Sequence, residues 1–197
     1  LFNIKDVAVL MALPHESQNV FENENIPVHY TGIGKVNAAL TAMDVIHKTK
    51  CKVIINLGTA GSSKFKTHEL IEVSSFVQRD MDITPLGFKV GETPFDPIPG
   101  SIDLIPYFGE LPHGICSTGD NFETGTPKLP CDLVDMEGYA IAKVCRKMGV
   151  QLISLKYITD GADHNAHNDW AANLLPGAKK LLYFYKRMVA SDDNAPA

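Results

Sequence analysis

Val7–Leu13 and Val53–Leu57 are short runs of apolar side chains broken only by Asn56, and Leu152–Ile158 is strongly strand-like. A strand wetted on one face alternates apolar and polar residues, whereas these runs read as strands covered on both faces. Between them the period changes. Val36, Leu40, Met43 and Ile46 mark one buried face of a helix over Val36–His47. Glu137–Met148 has the same period, with Gly149 placed as its C-cap.

Strands alternating with helices predict an α/β fold, a three-layer αβα sandwich around a central twisted sheet. Ile26–Tyr30 contains Pro27, which suits an edge strand. Leu70–Val77 is a strand with no obvious helix after it, and these two make the sheet mixed. Ile115–Ser117 is a short strand. Asn168–Met188 is helical, with Pro176-Gly177 expected to kink or divide it. Prolines 94, 97, 99, 106 and 112 predict a long shaped loop over 91–112. Its Phe95, Ile98, Leu104, Ile105, Tyr107 and Phe108 are expected to be buried. The polar tail from Ser191 is expected to fray. With 45% apolar residues among 197, the chain can bury one sizeable core, and residues 1–197 read as one domain.

The net charge of -5, with no basic run, excludes an extended nucleic-acid surface. No segment approaches the length of apolar sequence that spans a membrane. The opening "LFNIKDVAVLMALPHE" lacks a signal peptide's basic start, and the missing initial Met suggests a trimmed natural start. Cys51, Cys116, Cys131 and Cys145 are scattered, as reduced and mostly buried thiols of a cytoplasmic protein would be.

Ligands of open α/β sheets gather where strands end. Glu16 follows the first run, Thr59 the second and Asp160 the third, while Glu137 opens a helix. Each also has an ordinary reading. Asp160 before Gly161 suits a turn, Glu137 a first helical turn, Glu16 a solvated loop, and Thr59 a hydrogen bond within its own turn. "INLGTAGS" reads as a strand ending near Asn56 and opening into a small glycine turn. His164 and His167 have a spacing that metals use, but no diagnostic pattern completes a site, and no metal or cofactor is expected. The phosphate-loop and dinucleotide fingerprints are absent, as is the serine-hydrolase elbow.

"MALPHE", "TGIGKVNAA", "INLGTAGS", "VDMEGYAIA" and "YITDGAD" occur in this order from Val7 to near Lys186. Together they resemble the nucleoside phosphorylase/nucleosidase superfamily, most of all the 5'-methylthioadenosine/S-adenosylhomocysteine nucleosidases. The resemblance implies a phosphorylase/hydrolase-like fold and cleavage of a purine N-ribosidic bond. It implies that Asp160 donates a proton toward purine N7 and Glu16 orients water. Glu137, with Met136 beside it, would hold the ribose hydroxyls, Phe122 would stack on the purine, and Thr59 would contact ribose or water. Leu13, Ile33, Ile83, Leu86 and Trp170, with Phe88 nearby, would form an apolar pocket for the 5' substituent.

By the same resemblance, phosphorylases carry an arginine at the strand end and another in the first loop. Here Asn56 matches the first position, and "LPHESQNV" has no arginine, so water is the expected nucleophile. "QRDMDITPLGFKVGETPFDP" resembles the segment that reaches a partner's site, which implies a homodimer. Two departures stand out. Arg79 lies in a segment that usually bears histidine, where it would pair with Asp80 or Asp82 or serve an acidic 5' group. Gly138-Tyr139 follows the ribose glutamate, where the tyrosine would narrow or flank the ribose site. A phosphate-dependent phosphorylase, a hydrolase of another nucleoside or nucleotide, and a non-catalytic nucleoside-binding protein remain alternatives.

Overall fold

The computed structural model describes residues 1–123, 125, 127–161 and 166–190, without the side chains of 166–169 and 172. Its centre is an eight-stranded mixed sheet built from β2 (Val7–Met11), β3 (Val28–Tyr30), β4 (Val53–Gly61), β5 (Leu70–Gln78), β6 (Ser101–Asp103), β7 (His113–Thr118), β8 (Leu133–Asp135) and β9 (Gln151–Asp160). Two-residue strands β1 (Phe2–Asn3) and β10 (Val189–Ala190) pair separately. The helices are α1 (Pro14–Ser17), α2 (Lys35–Thr49), α3 (Gly138–Met148) and α4 (Ala166–Met188).

Neighbouring residues along the central strands serve opposite faces. Ala8 and Leu10 of β2, Ile54 of β4 and Leu152 of β9 pack with Ala38, Ala42 and Ile46 of α2 and Ile141 and Cys145 of α3. Val9 and Met11, Ile55 and Leu57, and Ile153 and Leu155 pack with Leu181, Phe184 and Met188 of α4. Both faces are covered, which is why the runs are continuously apolar. This is the expected α/β arrangement, a mixed sheet between helical layers.

Pairing within the sheet closes part of it on itself. β4 pairs in parallel with β9, β9 antiparallel with β5, β5 in parallel with β7, and β7 in parallel with β8. A single pair, Gly61 with Val134, then returns β8 to β4.

Several elements differ from the sequence reading. No glycine turn follows Asn56. β9 supplies partners from Val53↔Gln151 to Gly61↔Asp160, so β4 stays extended through Gly58. Asn56 is therefore mid-strand and buried, accepting from Ser154 Oγ at 3.0 Å on the adjacent strand. Pro176 lies inside one helix, α4, which is not divided, and Gly177 sits so close to Tyr157 that a Cβ would be 2.7 Å from the ring. The 91–112 segment contains β6, and only part of its apolar set is buried. Ile102 and Phe108 join the core, whereas Phe95 is 98% and Ile105 86% exposed. Tyr139 is a buried core residue whose backbone N–H donates to Thr118 Oγ1. The Ser191 tail falls outside the described residues.

Gly138 opens α3 in a space with no room for a side chain. A Cβ would lie 2.1 Å from the Phe76 ring and 2.6 Å from Asp135 Oδ2. Gly138→Ala is expected to lower unfolding free energy by about 1–3 kcal/mol, the usual range for overpacking. Urea denaturation monitored by fluorescence checks it.

Candidate active site

β2, β4 and β9 run parallel, so their C-terminal ends share one rim of the sheet. Glu16 hangs from this rim on the single turn of α1, which Pro14 begins. Its carboxylate turns back on the chain: Oε2 accepts from the backbone of Ala12 at 3.0 Å and Leu13 at 3.2 Å. Oε1 accepts from the N–H and the hydroxyl of Thr59, both at 2.8 Å. Trp170 Nε1 donates to the same hydroxyl at 3.0 Å. Four donors thus orient a buried carboxylate, and the next residue, Ser17, is held by Tyr30 Oη at 2.7 Å.

Glu137 is at the start of α3, and its Oε1 accepts from Gly34 N at 2.9 Å, across the opening of α2. Burial and the neighbouring charge of Asp135 raise its pKa to about 7. Asp135, two residues earlier, accepts from Thr118 Oγ1 at 2.5 Å and from Gly138 N and Lys156 Nζ at 2.9 Å. Burial alone would raise its pKa, but the Lys156 charge and these hydrogen bonds hold it below the usual carboxylate value. Burial alone would discharge Lys156, and Asp135 instead pushes its pKa up. Lys156 Nζ and Glu16 Oε1 both lie within 4 Å of where a Gly58 side chain would begin. Asp160 ends β9, buried, with Thr159 Oγ1 donating to its Oδ2 at 2.8 Å.

These side chains border one cavity of about 230 Å³. Glu16, Asp135, Glu137 and Asp160 line it together with Leu13, Ile33, Thr59, Met136, Phe122 and Trp170. Asn121, Glu123 and Arg79 complete one wall. Arg79 is buried, and Nη1 donates to the carbonyls of Ser117 at 2.5 Å and Asp135 at 2.9 Å. Nη2 donates to Asn121 O at 2.7 Å and more weakly to Gly119 O at 3.4 Å. Arg79 is the one cationic side chain among the described lining residues, and these carbonyls occupy its outer nitrogens.

Residues 19–190 match the Phosphorylase superfamily. The chain belongs to that superfamily. It is 30% identical over 191 residues to the aminodeoxyfutalosine nucleosidase of Helicobacter pylori strain J99, covering 87% of this chain and 83% of the relative. To the 5'-methylthioadenosine/S-adenosylhomocysteine nucleosidase of Exiguobacterium sp. strain AT1b it is 28% identical, over 78% and 75% of the two chains. Among solved structures it resembles a Helicobacter pylori 5'-methylthioadenosine/S-adenosylhomocysteine nucleosidase with a TM-score of 0.84 at 24% identity, covering 95% and 98%. The native futalosine hydrolase of strain 26695 gives the same TM-score and identity, covering 92% and 96%. At that identity the likeness speaks for the fold.

On this superfamily fold, Glu16, Thr59, Met136, Glu137, Asp160, Phe122, Leu13, Ile33 and Trp170 meet at one cavity. Ile83 and Leu86 do not. Leu86 is 73% exposed and Ile83 half-buried, because their loop turns away from the cavity. Arg79 pairs with neither Asp80 nor Asp82, which bind Lys35 and Lys128 instead. It is turned inward, and its outer nitrogens are committed to carbonyls rather than to an acidic 5' group. His164 and the His167 side chain lie outside the described residues. Asp135, Lys156 and Glu123 were missed by reading the sequence. A single lysine in the apolar run "LISLKYI" was the available signal, since a buried charge needs a partner.

Two outcomes follow from this geometry. Lys156→Met leaves Asp135 buried without its cation and is expected to cost about 3–5 kcal/mol in urea unfolding. The second concerns Glu137. Between its ordinary value of 4.5 and about 7, the folded chain retains a proton on Glu137 that the unfolded chain has released. Its contribution therefore lowers stability as pH rises through that window. Glu137→Gln removes this term, so its unfolding free energy should fall less than the wild type's between about pH 5 and about pH 8.

Proposed function

We propose that this chain hydrolyses the N-ribosidic bond of adenine nucleosides bearing an apolar 5' substituent. The observation that carries the reading is the charge at the cavity. It is lined by five carboxylates, those of Glu16, Glu123, Asp135, Glu137 and Asp160, and its one cationic lining residue is engaged with backbone carbonyls. A phosphate nucleophile would meet acceptors and, among the described lining residues, only a guanidinium whose outer nitrogens are taken, whereas a water needs an acceptor for its proton. The nucleosidase names of the relatives support the same class. Asn56 is buried mid-strand and does not line the cavity, so it has no bearing on the nucleophile.

In this reading Asp160, as a carboxylic acid, gives its proton to N7 as the C1'–N9 bond breaks and adenine departs. Water adds to C1' as the ribosyl centre becomes cationic, and Glu16 takes the water's proton. Thr59 and Trp170 fix the Glu16 carboxylate. Glu137 holds the ribose hydroxyls beside Met136, and Phe122 covers the base. Leu13, Ile33 and Trp170 offer the 5' group an apolar surface. The products are adenine and a 5-substituted ribose.

A homodimer completes the proposal. Ile33 at the cavity, Val36 and Leu40 on α2, and Leu86 and Phe95 on the outward loop are all exposed, and a second copy would cover them. Ile83 and Leu86 would then serve a partner's cavity rather than their own.

Free base released from methylthioadenosine, S-adenosylhomocysteine, adenosine, inosine and AMP, followed by chromatography with and without phosphate, tests the activity. Adenine release from the first two, unchanged by phosphate, is the expected result. Phosphate dependence with a sugar 1-phosphate product would replace the hydrolase by a phosphorylase. Binding without turnover of any substrate would leave a nucleoside-binding protein. Asp160→Asn is expected to lower kcat by about 10²–10⁴-fold, the range for losing a general acid.

A further inference from the structure

Arg79 and Glu123 form a pair at the cavity wall that the reaction scheme does not use. The segment from Gly119 to Glu123 wraps the Arg79 guanidinium, with the Gly119 and Asn121 carbonyls accepting from Nη2. A Cβ on Gly119 would stand 2.9 Å from Cγ, Nε and Cζ of Arg79, so the chain lies directly against the side chain. Arg79 Nε is buried and makes no hydrogen bond, although Glu123 Oε2 is only 3.4 Å away. The Glu123 carboxylate also accepts from Asn121 Nδ2 at 3.3 Å and Gly125 N at 3.1 Å. It borders the same cavity as Phe122 and Asp160.

We propose that Glu123, braced by Arg79, is a specificity-determining residue that accepts a hydrogen bond from the exocyclic amine of a 6-aminopurine. This rests on the reading of the cavity as a purine nucleoside site. A carboxylate offers only acceptors. An exocyclic amine donates to it, whereas a 6-oxopurine presents a carbonyl oxygen, and two facing acceptors leave both unpaired. A base packed over Glu123 strips water from the carboxylate, which then needs a compensating partner. The unused Nε–H of Arg79 is the donor already in place, and its other nitrogens keep the 119–123 backbone from retreating.

The test is calorimetric binding of the free bases adenine and hypoxanthine to the full chain, which requires no turnover. The wild type is expected to bind adenine at least about tenfold more tightly, since sites built around a hydrogen bond reject the mismatched analogue strongly. In Glu123→Gln the amide oxygen turns to Arg79 Nε and the amide NH₂ faces the base. The adenine preference should therefore shrink at least about fivefold, with hypoxanthine binding better than in the wild type. A wild type that binds both bases equally, or a Glu123→Gln variant with the ratio unchanged, overturns the role of Glu123. Failure of the wild type to bind either base overturns the purine reading itself. Adenine release without discrimination at Glu123 would leave the hydrolase standing and this inference alone refuted.

Discussion

The Asp135–Lys156 ion pair is the contact on which the cavity depends. Five carboxylates border one cavity, and mutual repulsion in a poorly solvated space would drive them apart or force protons onto them. Lys156 enters from β9, the strand that also delivers Asp160, and meets Asp135 at 2.9 Å at the end of β8. Each partner's charge is favoured by the other against burial. Glu137 does not share directly in that pair, and it is the carboxylate whose pKa rises to about 7. The strand pairing explains the arrangement. β8 touches β4 through one pair only and is held from its other side by β7, so the ion pair bridges a sparsely bonded seam.

Around that seam the side chains divide into two rigid groups. Glu16, Thr59 and Trp170 form a hydrogen-bonded wall fixed to the ends of β2 and β4. Arg79, at the end of β5, gathers carbonyls from the end of β7 and from Asp135 into the other wall. A guanidinium suits this task because its planar fork can serve several carbonyls at once, which an ammonium cannot do in fixed directions. A cavity built this way rests on backbone positions rather than on free side chains.

Much of the scaffold was legible because its signals are local. Continuous apolar runs named the doubly covered strands, and Gly149 closes α3 with a left-handed φ of 67°. A helix stands where Val36–His47 predicted α2, but it buries Ala38, Ala42, Val45 and Ile46 and leaves Val36 and Leu40 exposed, because the small alanines are what fit against the sheet. Glu16, Thr59, Glu137 and Asp160 were legible as candidates through motifs and strand ends. The failures share a cause. Gly58 and Gly61 carry the local chemistry of a turn, but the β9 ladder holds them extended. Pro176 carries the chemistry of a helix break, yet α4 runs on through it, packed on β9 through Gly177 and Tyr157. Ile83 and Leu86 were carried over from the family resemblance, and here they do not line their own cavity.

By itself the sequence determined the layer order and the mixed sheet and marked Glu16, Glu137 and Asp160 as candidates, because periodicity, breakers and motif order act within a few residues of one another. Only the tertiary structure decided where the charges lie. Asp135 and Lys156 are far apart along the chain and meet because β8 and β9 both border β4. Arg79 stands beside two aspartates in sequence, yet its guanidinium goes to carbonyls 38 to 56 residues away. An exposed charge can pair with whatever is near in sequence. A buried one must satisfy every donor, and the partners able to do that are set by strand order.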